Sequence, residues 1–218
     1  PALSRSKESG KRVKCLNNLR QILVGMTIYA QDNEDRVVEA RFGEVQICLN
    51  PPEEAAAATV NLKAANAEGG IWTCPNRPTF PQFETDFNQW VIGYQYFGGI
   101  ETWRNPVGTF PSRSPIKLST ADPYWVLASD ANMKVDGSWG GGRDTSFAKM
   151  PPHPTSGAGG APEGGNQVYV DGSASWVRFD QMLFIHSWNT SGSRDAYFHQ
   201  EDLGDLEAHR ARLVRLRR

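Results

Sequence analysis

Residues 1–36, PALSRSKESGKRVKCLNNLRQILVGMTIYAQDNEDR, decide the fold because they predict one long α-helix. From residue 15 onward the apolar side chains recur at steps of three and four residues, which places them on one face of the helix. These side chains are Cys15, Leu19, Ile22, Leu23, Met26, Tyr29 and Ala30. The pattern predicts that residues 15–32 pack on a sheet formed by the rest of the chain.

The first turns of this helix have a different character. Residues 1–14 carry no apolar stripe, and Gly10 lowers their helix propensity. Pro1 suits the first turn of a helix, where the N–H that proline lacks would have no partner. We therefore expect residues 1–14 to form an exposed stalk within an N-terminal helix that covers residues 1–34.

Residues 35–218 predict a single β-rich head that forms one domain with the helix, since 218 residues with 39% hydrophobic content suffice for one core. Short apolar runs separated by turn-forming residues predict strands at 45–49, 90–97, 124–129, 166–171, 173–179 and 182–188. Asp171 and Gly172 predict a two-residue turn between antiparallel strands. Helices are expected at 52–67 and 201–217, and the fold class is therefore α+β.

Charge and motifs exclude several functions. A net charge of -1 provides no general attraction to nucleic acid, and no apolar run is long enough to span a bilayer. The sequence contains no nucleophile elbow, no His-Glu-x-x-His motif and no phosphate-binding glycine loop, so we predict that the chain is not an enzyme. His153 lies among prolines in KMPPHPTSG, a context typical of a histidine in a surface loop.

The three cysteines allow one internal disulfide and leave three alternatives open. A Cys15–Cys74 bridge would pin the helix to the sheet, and a Cys48–Cys74 bridge is the second alternative. In the third, all three cysteines are small buried hydrophobic residues. Their spacing matches no zinc motif.

Two binding functions also follow from the residue types. Asp130, Asn132 and Asp136 in ASDANMKVDGS supply oxygen donors of the kind that calcium selects, and they predict a calcium site. Seven tryptophans are many for this length, and rings that are exposed would allow a carbohydrate-binding or adhesive β-domain. Trp103 and Trp139 have the most polar neighbours and are expected to be exposed.

Several motifs together resemble the prepilin-type proteins related to type II secretion pseudopilins. They are PALSRSKE, KCLNNLRQI, YAQDNEDR, CPN, GYQY, a strand ending in SDA, and GGNQVYVDGSASWV. The chain departs from the common family pattern in two places. His153 precedes Asp171 and Gly172 by a longer interval, and Ser173 stands where many relatives have histidine.

The resemblance implies a pilin-like fold, in which a long N-terminal helix packs on one antiparallel sheet, with long loops and a C-terminal helix. It implies a cleaved leader, a methylated N-terminus, and an apolar helix half ahead of Pro1 that anchors the protein in the inner membrane. The head would then lie in the periplasm or in an extracellular filament. The implied function is that of a non-catalytic subunit of a pseudopilus or pilus-like filament, with copies of itself or related subunits as partners. The side chains that would set register between subunits are Arg5, Lys7, Glu8, Lys11 and Arg12. Calcium bound in the β-domain also fits this family.

Overall fold

The computed structural model describes residues 2–65, 70–140, 145–155, 159–189 and 193–217. Helix α1 (Ala2–Asp32) is 31 residues long, and Pro1 lies outside the described residues. Leu19, Ile22 and Met26 on its apolar face are fully buried, whereas Tyr29 is partly buried. The helix ends where Asn33 donates a side-chain hydrogen bond to the carbonyl of Tyr29 (2.7 Å) and Glu34 adopts a positive φ of 53°.

Within the described residues the strands form four separate antiparallel sheets. In chain order they are β1 (Ala40–Arg41), β2 (Val45–Leu49), β3 (Gln82–Glu84), β4 (Gln89–Val91), β5 (Tyr94–Tyr96), β6 (Thr102–Asn105), β7 (Gly108–Pro111), β8 (Val126–Asp130), β9 (Met133–Val135), β10 (Gly164–Tyr169), β11 (Ala174–Arg178), β12 (Leu183–Ser187) and β13 (Arg194–Phe198). The strand orders are β1-β2-β4-β3, β11-β10-β8-β5, β12-β13-β9 and β6-β7.

Helix α1 packs mainly on β10, β11 and β8 of the sheet β11-β10-β8-β5, which we call the helix-facing sheet. Within it, Val168 of β10 pairs with Ala174 of β11 and with Ala128 of β8. The buried face of α1 and this sheet enclose the largest hydrophobic cluster, which includes Leu19, Met26 and Val168. Helix and sheet are therefore held together mainly by apolar burial.

The predicted pilin-like arrangement of one helix along one antiparallel sheet is wrong. The strands that the sequence predicted are divided among three of the four sheets, and the C-terminal helix α3 (Arg210–Leu216) has only 7 residues. It follows a 3-10 helix at Gly204–His209. Of the helix expected at 52–67, the part within the described residues forms only α2 (Glu54–Thr59), and residues 66–67 lie outside them.

The expected strand at 90–97 is interrupted at Gly93 and contributes to two sheets, as β4 and β5. A Cβ atom at Gly93 would lie 2.5 Å from the carbonyl oxygen of Trp72 and 2.7 Å from the backbone nitrogen of Cys74. The Gly93 N–H donates to the Trp72 carbonyl (3.0 Å). Only glycine permits this approach, so the break in the strand brings the Cys74 segment against β5.

The hairpin between β10 and β11 has a longer turn than predicted. Tyr169 N–H donates to the Ser173 carbonyl (2.9 Å), and Gly172 N–H donates to the Tyr169 carbonyl (3.0 Å). Gly172 has a φ of +89°, while Asp171 stays outside the left-handed region. The connection is thus a three-residue loop with glycine in the left-handed position, in place of the two-residue turn.

Candidate metal centre

Four side chains with metal-binding atoms meet beneath helix α1. They are Cys15, Cys74, Asp130 and His153, and one ligand atom of each lies within 4.8 Å of the others. Cys15, Cys74 and Asp130 are 0% exposed and His153 is 1% exposed. A cluster of ionisable groups so far from water requires partners for its charges.

The four residues come from separate elements. Cys15 lies on the buried face of α1, and Cys74 lies in the loop that Gly93 allows to approach β5. Asp130 is the last residue of β8, and His153 belongs to the loop before β10. Helix, helix-facing sheet and two loops thus converge on one point.

The separations between the ligand atoms suit a tetrahedral ion. The Sγ atoms of Cys15 and Cys74 are 3.5 Å apart, and His153 Nε2 lies 3.3 Å from Asp130 Oδ2. With zinc–sulfur bonds of about 2.3 Å and zinc–nitrogen or zinc–oxygen bonds of about 2.1 Å, tetrahedral ligands lie about 3.8 Å and about 3.4 Å apart, respectively. Both observed distances therefore lie close to those of such a site.

One carboxylate oxygen in the cluster lacks a hydrogen-bond partner. It is Asp130 Oδ1, which is shielded from solvent, whereas His153 Nε2 pairs with Asp130 Oδ2. An unpaired buried polar atom costs about 1–3 kcal/mol. A cation bound in the cluster would satisfy this oxygen.

The other ring nitrogen of His153 and the other carboxylate oxygen of Asp130 make hydrogen bonds to neighbouring residues. His153 Nδ1 hydrogen-bonds Glu8 Oε1, and Asp130 Oδ2 accepts from the backbone N–H (2.7 Å) and side-chain amide (3.0 Å) of Asn166. A carboxylate that accepts the Nδ1–H of a histidine fixes the tautomer in which Nε2 is a ligand. The supporting contacts therefore orient both side chains.

The segment around Cys74 is held by two further contacts to α1 and β5. The side-chain amide of Asn18 donates to the Thr73 carbonyl (3.0 Å) and to the Tyr94 hydroxyl (3.0 Å). Past Cys74, the Arg77 N–H donates to the Cys74 carbonyl (2.8 Å) and closes a turn. The position of the Cys74 sulfur is thus set by packing and hydrogen bonds.

Burial and neighbouring groups strongly perturb the ionisation of the cluster. Burial opposes the imidazolium form of His153, but Asp130 and Glu8 outweigh it and raise its pKa to about 9. The hydrogen bond with Cys74 and burial together raise the pKa of the Cys15 thiol. Burial opposes ionisation of Cys74 as well, but hydrogen bonds from Cys15 and the Asn76 backbone lower the pKa of that thiol. The ionisation of each thiol therefore depends on the state of the other.

The donor set distinguishes between metals. Two sulfurs, an imidazole and one carboxylate suit zinc and similar borderline ions, whereas calcium takes six to eight oxygens. The two thiols could alternatively form a disulfide, but all three cysteines are free and buried in this structure. The structure thus supports a nitrogen and sulfur metal site more than a calcium site.

The three residues predicted to bind calcium have different surroundings. Asp130 belongs to the four-residue cluster, and the side-chain amide of Asn132 donates to the Gly164 carbonyl (3.3 Å). Asp136 is exposed and accepts a hydrogen bond from Arg194 (2.7 Å). Only Asp130 of this set contributes to the candidate metal centre.

The predicted assembly residues fall into two groups. Arg5 and Lys7 are exposed, whereas Glu8, Lys11 and Arg12 contact the head. Lys11 donates to the side-chain oxygen of Asn76 (2.6 Å), and the Arg12 guanidinium lies 4.1 Å from the ring centre of Trp176. Residues 8–12 therefore also help to attach α1 to the head.

The expectation of a surface histidine at position 153 is wrong, because its side chain is buried against Trp176 and Glu8. Cys48 is buried elsewhere, in a second hydrophobic cluster with Ile47 and Phe80. Sequence spacing missed the candidate metal centre because its four residues come from distant segments. Two sequence features could have indicated part of it, namely Cys15 on the apolar face of the helix and the CPN motif that contains Cys74.

The tryptophans do not form an exposed binding surface. Trp72 and Trp103 are fully buried, and the other five, which all lie in the described ranges, are partly buried. The prediction that Trp103 is exposed is therefore wrong, and Trp139 packs against Phe179 and Tyr197. These contacts give no support to stacking of sugars on tryptophan rings.

No protein-family model matches this chain, and neither a curated protein nor a solved structure matches it significantly. None of the helices in the described ranges is long and apolar enough to cross a membrane. The resemblance to prepilin-type proteins stays a prediction from the motifs quoted above.

Proposed function

We propose that this protein is a non-catalytic structural subunit of a filament in the cell envelope, of the type II secretion pseudopilus or type IV pilus kind. Its partners are copies of itself or related subunits. The proposal depends on helix α1 and its motifs, and it does not require the single-sheet pilin fold.

The division of α1 into two faces is the observation that carries this proposal. Its inner face is buried in the main core, whereas Val13, Val24 and Ile28 are 58%, 57% and 46% exposed. At 100° per residue these three side chains lie along one stripe of the outer face. An apolar stripe on the outer face of the helix is suited to contact with the same helix of another subunit.

The first turns of the helix supply exposed charge at one end of α1. Arg5 and Lys7 are exposed, whereas Glu8 and Arg12 pair with each other (3.5 Å) on the side that contacts the head. Exposed charges contribute little to stability, but across a repeated contact they favour one register over another. Repetition of one such contact by rotation and rise produces an open helical assembly.

Cysteine cross-linking in cells that produce the full-length gene product tests the proposal. All three native cysteines are buried, so Val24→Cys introduces an exposed thiol on the outer face of α1. After mild oxidation we expect dimers, because α1 helices of neighbouring subunits would lie side by side. A second exposed cysteine at Lys7 should extend these dimers into a ladder.

Phe87→Cys is the matched control. Phe87 is 65% exposed and lies in the turn between β3 and β4, in a sheet other than the helix-facing sheet. We expect little cross-linking at this position. Equal cross-linking at positions 24 and 87, or none at position 24 in the envelope fraction, would contradict the subunit function.

A further inference from the structure

We propose that Cys15, Cys74, Asp130 and His153 bind one zinc ion in a closed structural site that fastens helix α1 to the head. This inference goes beyond the filament function, because the site would bind metal whether or not the protein assembles. It assigns a chemical role to four buried residues that otherwise form an unfavourable cluster.

The residue types carry the first step of the argument. Zinc in structural sites is bound by four protein ligands from among cysteine, histidine and acidic residues, without an open position. All four ligands here are protein side chains, and each is at most 1% exposed. Catalytic zinc sites keep one position for water or substrate, so burial of the complete set favours a structural ion.

The geometry carries the second step. The sulfur–sulfur separation of 3.5 Å and the nitrogen–oxygen separation of 3.3 Å are close to two edges of a zinc tetrahedron. All four ligand atoms fall within 4.8 Å of one another. A small adjustment of the side chains would therefore complete the coordination.

Independent support comes from an atom that no protein group satisfies. Asp130 Oδ1 is buried without a hydrogen-bond partner, although Oδ2 of the same carboxylate accepts from Asn166 and lies 3.3 Å from His153 Nε2. A disulfide between Cys15 and Cys74 would consume both sulfurs and leave Asp130 Oδ1 unsatisfied. A zinc ion satisfies all four side chains at once.

Zinc binding also balances the protons and charges. The thiol protons of Cys15 and Cys74 and the Nε2 proton of His153 pass to water, and the ion bonds to two thiolates, a neutral imidazole and a carboxylate. His153 keeps its Nδ1 proton in the hydrogen bond to Glu8. Nothing is oxidised or reduced, so no further reactant is needed.

An open cleft of about 400 Å³ adjoins the centre and includes Glu8, Lys11 and Asn76 among its lining residues. Asn76 donates to the Pro152 carbonyl (2.7 Å) and to Glu8 (3.2 Å), and Glu8 contacts His153 directly. A single layer of side chains thus separates the cluster from the cleft. The cleft therefore provides a short path from solvent to the cluster for a metal ion.

Metal titration of the reduced full chain tests the proposal. The protein is unfolded with chelator and reductant, refolded without metal, and titrated with Co²⁺ and then with Zn²⁺. We expect one equivalent of Co²⁺ with thiolate charge-transfer absorption and the visible bands of a tetrahedral ion. One equivalent of Zn²⁺ should abolish this spectrum, and elemental analysis should then find one zinc per chain.

Cys48→Ser provides the matched control, since Cys48 is also buried but lies outside the cluster. We expect Cys48→Ser to keep the cobalt spectrum, and Cys74→Ser and His153→Gln to lose or alter it. If Cys74→Ser fails to fold, the wild-type titration still decides the proposal. Absence of one-to-one binding in the reduced wild type, a spectrum without thiolate bands, or a native Cys15–Cys74 disulfide in the isolated protein would each overturn it.

Discussion

The imidazole of His153 has a different environment at each nitrogen. Nδ1 hydrogen-bonds the partly exposed Glu8, whereas Nε2 pairs with the buried Asp130 carboxylate at 3.3 Å. This asymmetry fixes the orientation of the ring and leaves one nitrogen for the cluster. The carboxylate of Glu8, on the first turns of α1, therefore orients the buried imidazole of His153.

Glu8→Gln isolates the charge of this supporting carboxylate. Glutamine can still accept the Nδ1–H of His153, but it no longer makes the imidazole a stronger ligand. We expect zinc affinity to fall about 10- to 100-fold, as for other supporting partners of metal-bound histidines. Competition with a chelator measures this change. The exposed Glu101→Gln is the control, and equal affinities of the two variants would show that Glu8 has no supporting role.

His186 provides a separate pH-dependent contribution to stability. Burial lowers its pKa to about 4, and its neutral ring accepts from the Arg104 N–H (3.2 Å) and donates to the Glu44 carbonyl (2.8 Å). In the unfolded chain His186 has its ordinary pKa near 6.5, so the unfolded state binds a proton at this residue more readily than the folded state. The contribution of His186 to the free energy of unfolding is therefore fully present above about pH 6.5 and is lost as the pH falls toward 4.

Comparison of the wild type with His186→Gln tests this contribution. The difference in free energy of unfolding between them should shrink by on the order of 3 kcal/mol from pH 7 to pH 4, because 1.36 kcal/mol corresponds to one pKa unit. Asp195, whose pKa burial raises to about 6, acts in the opposite direction in both proteins and cancels in the difference. Denaturant unfolding at several pH values measures the effect. A difference that does not change with pH would refute the assignment.

At the scale of elements, a close backbone contact positions the Cys74 loop. Gly93 separates β4 from β5, and its backbone N–H donates a hydrogen bond to the Trp72 carbonyl (3.0 Å between nitrogen and oxygen). The sequence predicted a single strand here because the apolar run is continuous. Several other elements agree with local patterns, since β2 coincides with the strand expected at 45–49 and α1 follows its apolar periodicity.

Gly93→Ala tests the importance of this contact. The new Cβ would lie 2.5 Å from the Trp72 carbonyl oxygen, so the loop must move and stability should fall by about 1–3 kcal/mol. Zinc affinity should fall as well, because Cys74 shifts with the loop. Gly10→Ala is the matched control, because beyond its own helix backbone no described atom lies within 4 Å of the new Cβ, and we expect a gain of about 0.5–1 kcal/mol from helix propensity. Denaturant unfolding measures the change in stability of both variants. A Gly93→Ala variant with the same free energy of unfolding as the wild type would contradict the steric argument.

At the scale of the whole molecule, pairing between strands that are distant in the chain determines the sheet arrangement, which local sequence patterns do not predict. The order β11-β10-β8-β5 joins strands far apart in the chain, and β13 pairs with both β12 and β9. Periodicity identifies most of these strands but not their partners, because pairing depends on tertiary packing. The predicted single sheet failed for this reason, and the four-residue centre was missed for the same reason.

Helix α1 is the element that connects these parts. It buries its inner face against the helix-facing sheet, contributes Cys15 to the candidate metal centre, and keeps Val13, Val24 and Ile28 exposed on its outer face. A rigid connection between such a helix and the head would transmit force between subunits. A zinc ion at the centre would provide this connection between helix, sheet and loops.

A crystal structure of the zinc-loaded chain, with diffraction data collected on both sides of the zinc absorption edge, tests this account most directly. We predict a single buried anomalous peak bonded to Cys15 Sγ, Cys74 Sγ, His153 Nε2 and an oxygen of Asp130. The peak should disappear in data collected below the edge. A disulfide between Cys15 and Cys74, or zinc bound only at surface residues, would contradict the central claim.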